Sequence, residues 1–358
     1  FLLFAQEQEA TSLLGKPLFR PQLDEQTRAD FQAKLEKAAG DYEKAKGDPD
    51  AAIWLGRRTA YLGRYREAIT IYTRAIEQHP NNPKLYRHRG HRYLTVRKID
   101  RAIQDFEKAA ELVQGKPDEI EPDGLPNAKN IPTSTLKTNI FYHLGLAYYL
   151  KGDYEQAAHA YRECLKFSKN DDMLVAVTHW LYMTLRRAGK KNDAEILLKP
   201  IHQGMNVIED FDYFSLCLLY KKEKTPEELL ASAKDQGLSG ATVSYGAGNW
   251  YFYNDQKEKG MEIFRKILTG SEWASFGYLA AEAELVRLEN KTVRFFIHDE
   301  LLLLYRKFVI DVARASRPPD TTLNFYPSLP EILPGNRELK SDSPSGRDAR
   351  ATLCKRTK

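Results

Sequence analysis

The chain has 358 residues, of which 42% are hydrophobic and 29% charged, values that argue against a membrane or a disordered class and suit a helical chain in water. A formal net charge of +5 is too mild to argue nucleic-acid binding by itself. The three cysteines, Cys164, Cys217 and Cys354, are scattered too widely for a disulfide framework or a zinc site.

The chain begins Phe1-Leu-Leu-Phe-Ala5, which reads as the end of an apolar signal-peptide core with cleavage after Ala5. That reading makes the protein bacterial, exported and periplasmic; the alternative is the frayed hydrophobic start of a cytoplasmic chain. No cysteine follows the cleavage point, which argues against a lipid anchor there. Residues 6–25 are polar and carry Pro17 and Pro21, so 1–21 is set apart as a signal remnant with an extended lead-in. Asp24 or Thr27 caps a helix running to about Lys46, with Phe31, Leu35, Ala38, Ala39 and Tyr42 on one stripe. Gly47-Asp48-Pro49 ends it.

Residues 49–113 write one 34-residue pattern twice. Gly56 and Gly90, Ala68 and Ala102, Tyr72 and Phe106, and Ala75 and Ala109 each stand 34 apart. Gly56 and Gly90 fall inside helices, where glycine costs about 1 kcal/mol against alanine. The cost is tolerable where the missing side chain admits a neighbouring helix. A 34-residue period with small residues at these offsets marks a helix–turn–helix repeat, and the pattern resembles the tetratricopeptide repeat (TPR) family. The resemblance implies an all-α solenoid of about six antiparallel helix pairs.

Residues 22–113 then form an N-terminal helix and two repeats. Residues 114–137 break the period with four prolines and alternating acidic and apolar residues, a long insert of the kind that is functional or disordered. A third repeat follows, with Gly145, Tyr148, Gly152, Tyr154, Ala157, Tyr161 and Cys164 in register, Cys164 as a packed thiol. Beyond it the pattern degrades: 179–201 keeps a Gly189 turn and Ala194, 212–233 is a shortened pair started by Thr225-Pro226, and 249–268 restores the register with Gly248, Gly260, Phe264 and Ile267. Residues 272–288 read as a final, unpaired helix. The layout over roughly 175–290 is similar to bacterial TPR lipoproteins of the NlpI type. Residues 138–290 thus complete the array, 291–316 form a C-terminal helix covering its last apolar face, and 317–358 form a disordered basic tail.

No HExxH, P-loop, GxSxG or Cys-x-x-Cys motif occurs, so neither enzymatic activity nor a cofactor or metal is expected. His88 and His91 stand among Arg87, Arg89 and Arg92, neighbours that disfavour a cation. Charge is unevenly spread: Trp54–Phe106 holds twelve basic and four acidic residues, a net of +8, and Glu107–Asp123 holds two and six, a net of −4. In TPR proteins the first helix of each pair lines the concave groove. The resemblance places Arg57, Arg87, His91, Tyr142 and Tyr149 there, in a groove suited to a protein or peptide partner with acidic groups. Ile53 and Arg57 depart from the Lys and Asn of the family's carboxylate clamp. Arg89, in place of the usual leucine beside Gly90, is either buried and paired with Asp105 or marks an open repeat. The acidic insert residues Asp118, Glu119, Glu121 and Asp123 are read as folding back over the basic groove, to brace or to block it. The competing reading makes the charge a solvated face paired to Glu67, Asp100 and Asp105. The function read is a scaffold or adaptor binding partners in the groove. The alternatives are a regulator or carrier of a cell-envelope enzyme and a single-stranded RNA-binding array.

Overall fold

The computed structural model describes residues 7–233 and 237–289, with backbone alone at 237–239. The Phe1–Ala5 segment, the 291–316 helix and the 317–358 tail lie outside the described residues. After a short β-hairpin, β1 (Gln8–Thr11) and β2 (Pro17–Phe19), the regular elements among the described residues are helices. The lead-in is therefore a paired hairpin, because Ser12-Leu-Leu-Gly15 supplies a turn with Gly15 at φ +81°.

α1 (Glu25–Lys44) starts on Asp24, whose carboxylate accepts from the Thr27 amide. Six helical hairpins follow: α2 (Pro49–Tyr61) with α3 (Tyr65–Gln78), α4 (Pro83–Thr95) with α5 (Ile99–Leu112), α6 (Leu136–Lys151) with α7 (Tyr154–Phe167), α8 (Asp171–Arg187) with α9 (Lys191–Leu197), α10 (Phe211–Tyr220) with α11 (Pro226–Ser232), and α12 (Gly237–Tyr253) with α13 (Lys257–Ile267). A further helix, α14, spans 276–289. Proline at the first turn of α2, α4 and α11 sits where its missing N–H is not needed. Thr225 and Glu228 cap each other at α11.

One turn closes all six hairpins. Gly63, Arg97, Gly152, Gly189, Lys222 and Asp255 all take left-handed φ, between +63° and +87°. The amide of the next residue then reaches back five residues, as Arg64 does to Thr59 and Lys98 to Tyr93. The hairpins also share a packing device. A Cβ on Gly56 would lie 2.4 Å from the Tyr72 ring, on Gly90 2.9 Å from Phe106, on Gly145 2.7 Å from Tyr161, and on Gly248 2.9 Å from Phe264. In each case the aromatic ring, 16 residues on, fills the space of the missing side chain. All four rings are fully buried, each worth roughly 1.5–3 kcal/mol of burial.

Successive first helices touch, α2 with α4, α4 with α6, and α6 with α8, while successive second helices make no comparable contact. That difference bends the array with its first helices inside. α14 belongs to none of the six hairpins and lies along this inner face. Phe276 packs on His91 of α4 and His143 of α6, at 5.5 and 5.6 Å between ring centres. Leu279, Ala280, Ala281, Ala283 and Leu285 join the main core.

Candidate partner-binding groove

Two occupants sit on the inner face, and they are held differently. α14 is anchored by charges under an apolar cover. Arg97, in its left-handed turn, donates to both oxygens of Glu282 at 3.1 Å and to the carbonyls of Thr95 and Trp273. The Arg97 and Glu282 side chains are 3% and 1% exposed, which marks this ion pair as part of the interior. Glu284, wholly buried, accepts from Arg187 at 2.6 Å and from Arg287 at 2.5 Å. Arg287 also donates to the Leu150 carbonyl. The N-terminal hairpin closes the same edge, with the Leu13 amide on Glu282 and the Trp273 indole donating to the Phe19 carbonyl.

The second occupant is the insert between α5 and α6. Its two arms pair through an Ile120–Thr135 bridge, and the amides of Leu136 and Glu121 donate to the carbonyls of Glu119 and Ser134. Extended backbone sends alternate side chains to opposite faces. Glu119 and Glu121 therefore point at the array, while Ile120 is 67% exposed. Glu121 lies 3.1 Å from Arg87, 3.3 Å from the His88 Nε2 and 3.1 Å from the Asn139 amide. Glu119 lies 3.0 Å from Lys84. Asp118 has another role: it accepts from the Lys137 amide at the start of α6. The strap then bends, and Arg57 and Arg58 donate to the carbonyls of Pro122 and Gly124 at 2.7 and 2.9 Å. Its far end is tied by Asn127 and Thr133 to Glu209 and by Asn170 to the Thr133 carbonyl.

Between the strap and helices α2 and α4 lies a cavity of about 250 Å³, lined by Arg57, Tyr61, Arg87, His91, Arg92, Asp123 and neighbours. Arg92 stacks on Tyr65, and neither it nor Arg57 has a carboxylate partner among the described residues. Asp123 keeps one carboxylate oxygen buried without a hydrogen bond. Burial, then nearby Glu209, pushes its pKa up, against the pull of Arg57. Arg87 keeps its Nε buried and unbonded. His88 and His91 are driven well below the ordinary histidine range by burial and by adjacent arginines, and His143 to about 3, so the site stays free of imidazolium charge near neutrality.

Of the residues expected in the groove, Arg57, Arg87 and His91 share the cavity wall. Tyr142 and Tyr149 do not: they are 6% and 0% exposed. The Tyr149 hydroxyl bonds Tyr245 and Asn249, and that of Tyr142 bonds Tyr213. α8, α10 and α12 close over these positions, which makes them core. Arg89 is paired, with both Asp105 oxygens at 2.7 and 2.8 Å. The competing reading holds for part of the basic segment, with Glu67 on Arg64 and Asp105 on Arg89, while Asp100 pairs with Lys151 outside it. Lys84, Arg58, Arg92 and Asn139 were not singled out from the sequence. Lys84 and Asn139 stand one turn before Arg87 and His143, a helical spacing that marks them as lying on the same face.

Models of the tetratricopeptide repeat match residues 55–118 and 139–171. No curated protein matches the chain. Among solved structures it is similar to YrrB, a TPR protein with an unusual peptide-binding site, at 18% identity over 66% of this chain and 92% of that one, with a TM-score of 0.38. It is also similar to a tetratricopeptide repeat protein from Parabacteroides merdae at 16% identity over 72% and 93%, TM-score 0.42. A third is MamA AMB-1, at 20% identity over 49% and 94%, TM-score 0.34.

Proposed function

We propose that this chain, a tetratricopeptide repeat protein, is a non-catalytic interaction scaffold that takes an acidic protein or peptide at the basic end of its inner face. A helical repeat array of this kind serves protein–protein interaction in general, and among the described residues no helix is long and apolar enough to cross a membrane. The observation that carries the finer reading is the arginine-lined cavity under the strap, where Arg57 and Arg92 stand without carboxylate partners. Among the described residues, α14 covers the neighbouring stretch of the inner face with apolar packing, while the basic end carries the strap, held by charge and backbone hydrogen bonds. Because the helices are already in place, binding there costs little ordering of the receptor.

The test is capture of partners by the full chain beside an Arg57→Ala/Arg87→Ala/His91→Ala variant whose helicity is checked by circular dichroism. The expected result is a partner held by the parent and lost from the variant. A partner held equally by both places the binding surface elsewhere and overturns the reading.

A further inference from the structure

We propose that residues 118–124 are an internal stand-in for the partner's recognition segment. The partner this groove fits is then an extended acidic peptide with carboxylates two residues apart, followed by a bend. The inference rests on the reading that the basic groove receives a partner, and it assigns that partner a backbone form and a carboxylate spacing.

The argument comes from how the strap is held. In extended backbone, side chains at i and i+2 share a face. Glu119 and Glu121 use that spacing to meet Lys84 and Arg87, which stand three apart on α4. Arg57 and Arg58 read the next turn through main-chain oxygens, those of Pro122 and Gly124. None of these contacts needs the strap to belong to this chain. No residue of 114–135 enters the hydrophobic core clusters, and its large apolar side chains Ile120, Leu125 and Ile131 are 67%, 55% and 52% exposed. The strap thus docks as a peptide ligand docks, by charge and backbone hydrogen bonds. It is also an imperfect fit. Asp123 leaves a carboxylate oxygen unbonded, and Arg92 and the Arg87 Nε face the cavity without acceptors. A peptide that placed a third carboxylate into that cavity would satisfy groups that the strap leaves unsatisfied.

Tethering gives the strap an effective concentration of about millimolar order, so a free peptide competes poorly until the strap is loosened. The probe is a labelled peptide of residues 115–126, GKPDEIEPDGLP, titrated into the full-length parent and into Glu119→Gln/Glu121→Gln, with hydrogen exchange recorded over 114–135. The expected result is faster exchange of the strap in the variant, at least tenfold tighter peptide binding than in the parent, and loss of that binding when Arg87→Ala is added. A peptide with both glutamates replaced by glutamine should not bind. If the strap of the variant exchanges no faster, the glutamates are not its hold and the inference fails. If it opens and the peptide binds no better than to the parent, the inference also fails. The groove reading then survives only where partner capture still depends on Arg57, Arg87 and His91.

Discussion

α14 and the strap occupy neighbouring stretches of the same inner face, and both bring carboxylates to arginines. Their difference lies in what surrounds those charges. Around Glu282 and Glu284 the packing is apolar and continuous with the main core, and the two carboxylates are 1% and 0% exposed. Glu121 and Arg87 are also buried, with side chains 8% and 10% exposed, but the strap places no residue in the core clusters, so lifting it returns Lys84 and Arg87 to solvent. A buried ion pair is costly to break only when the abandoned charge stays buried. On the proposal made above, the same chemistry makes α14 a permanent part of the fold and the strap a removable one.

The comparison is most sharply tested at Glu284. Glu284→Gln leaves Arg187 and Arg287, whose side chains are 11% and 22% exposed, facing a neutral amide at a wholly buried position, and should cost about 3 kcal/mol, read as a lowered midpoint in denaturant-induced unfolding. Should that midpoint stay put, α14 is no more integral than the strap and the contrast collapses. Glu119→Gln/Glu121→Gln should lower global stability by less, about 1 kcal/mol, because Lys84 and Arg87 regain water once the strap lifts, although Glu121 and Arg87 are 8% and 10% exposed with it in place. Limited proteolysis should meanwhile move to residues 114–135. A loss as large as that of Glu284→Gln would make the strap a structural brace. Raising salt to ~1 M, where the screening length is about 3 Å, should speed amide exchange several-fold along the strap and leave 276–289 unchanged.

A pH-dependent effect is expected at Asp210, the residue after the strap's anchor Glu209. Burial first, and then Glu209 and Asp172, raise Asp210 to about 8. A carboxyl raised in the fold binds more protons folded than unfolded between about 4 and 8, so its contribution to stability falls as pH rises through that window. Asp210→Asn should accordingly be more stable than the parent at pH 9, with the difference shrinking on acidification and gone below about pH 4. His143 and His179, both lowered to about 3 by burial, act in the opposite sense. Each favours the unfolded, protonated chain as pH falls from about 6.5 towards 3. Melting temperatures of both proteins across pH 3–9 check these signs together.

Much of the lattice was legible in the residues because its determinants are local. Gly56 and Tyr72 lie 16 apart on adjoining helices, and their size match can be read from the chain, as can the turns at Gly63, Gly152 and Gly189. The equivalent turns at Arg97, Lys222 and Asp255 were hidden, since side chains other than glycine seldom take left-handed φ. Arg97 is held there by Glu282, 185 residues away. The misplaced Tyr149 has the same origin. Its repeat position does face inward, but Tyr245 and Asn249 of α12 come to meet it across about a hundred residues. What the period could not show was what the later helices would bring onto that inner face.

Glu282 also accepts from the Leu13 amide, so the first and last described elements of the array meet on one side chain. Open repeat arrays fold by nearest-neighbour steps and fray from their ends. Here the ends are joined lengthwise, and contacts of such sequence separation slow folding, because a long loop must close before they form. During synthesis, which delivers the N-terminal repeats first, the early helices would wait with their inner arginines uncovered until residue 289 has left the ribosome. In that interval the strap, which follows α5 directly in the chain, is the acidic cover those helices have.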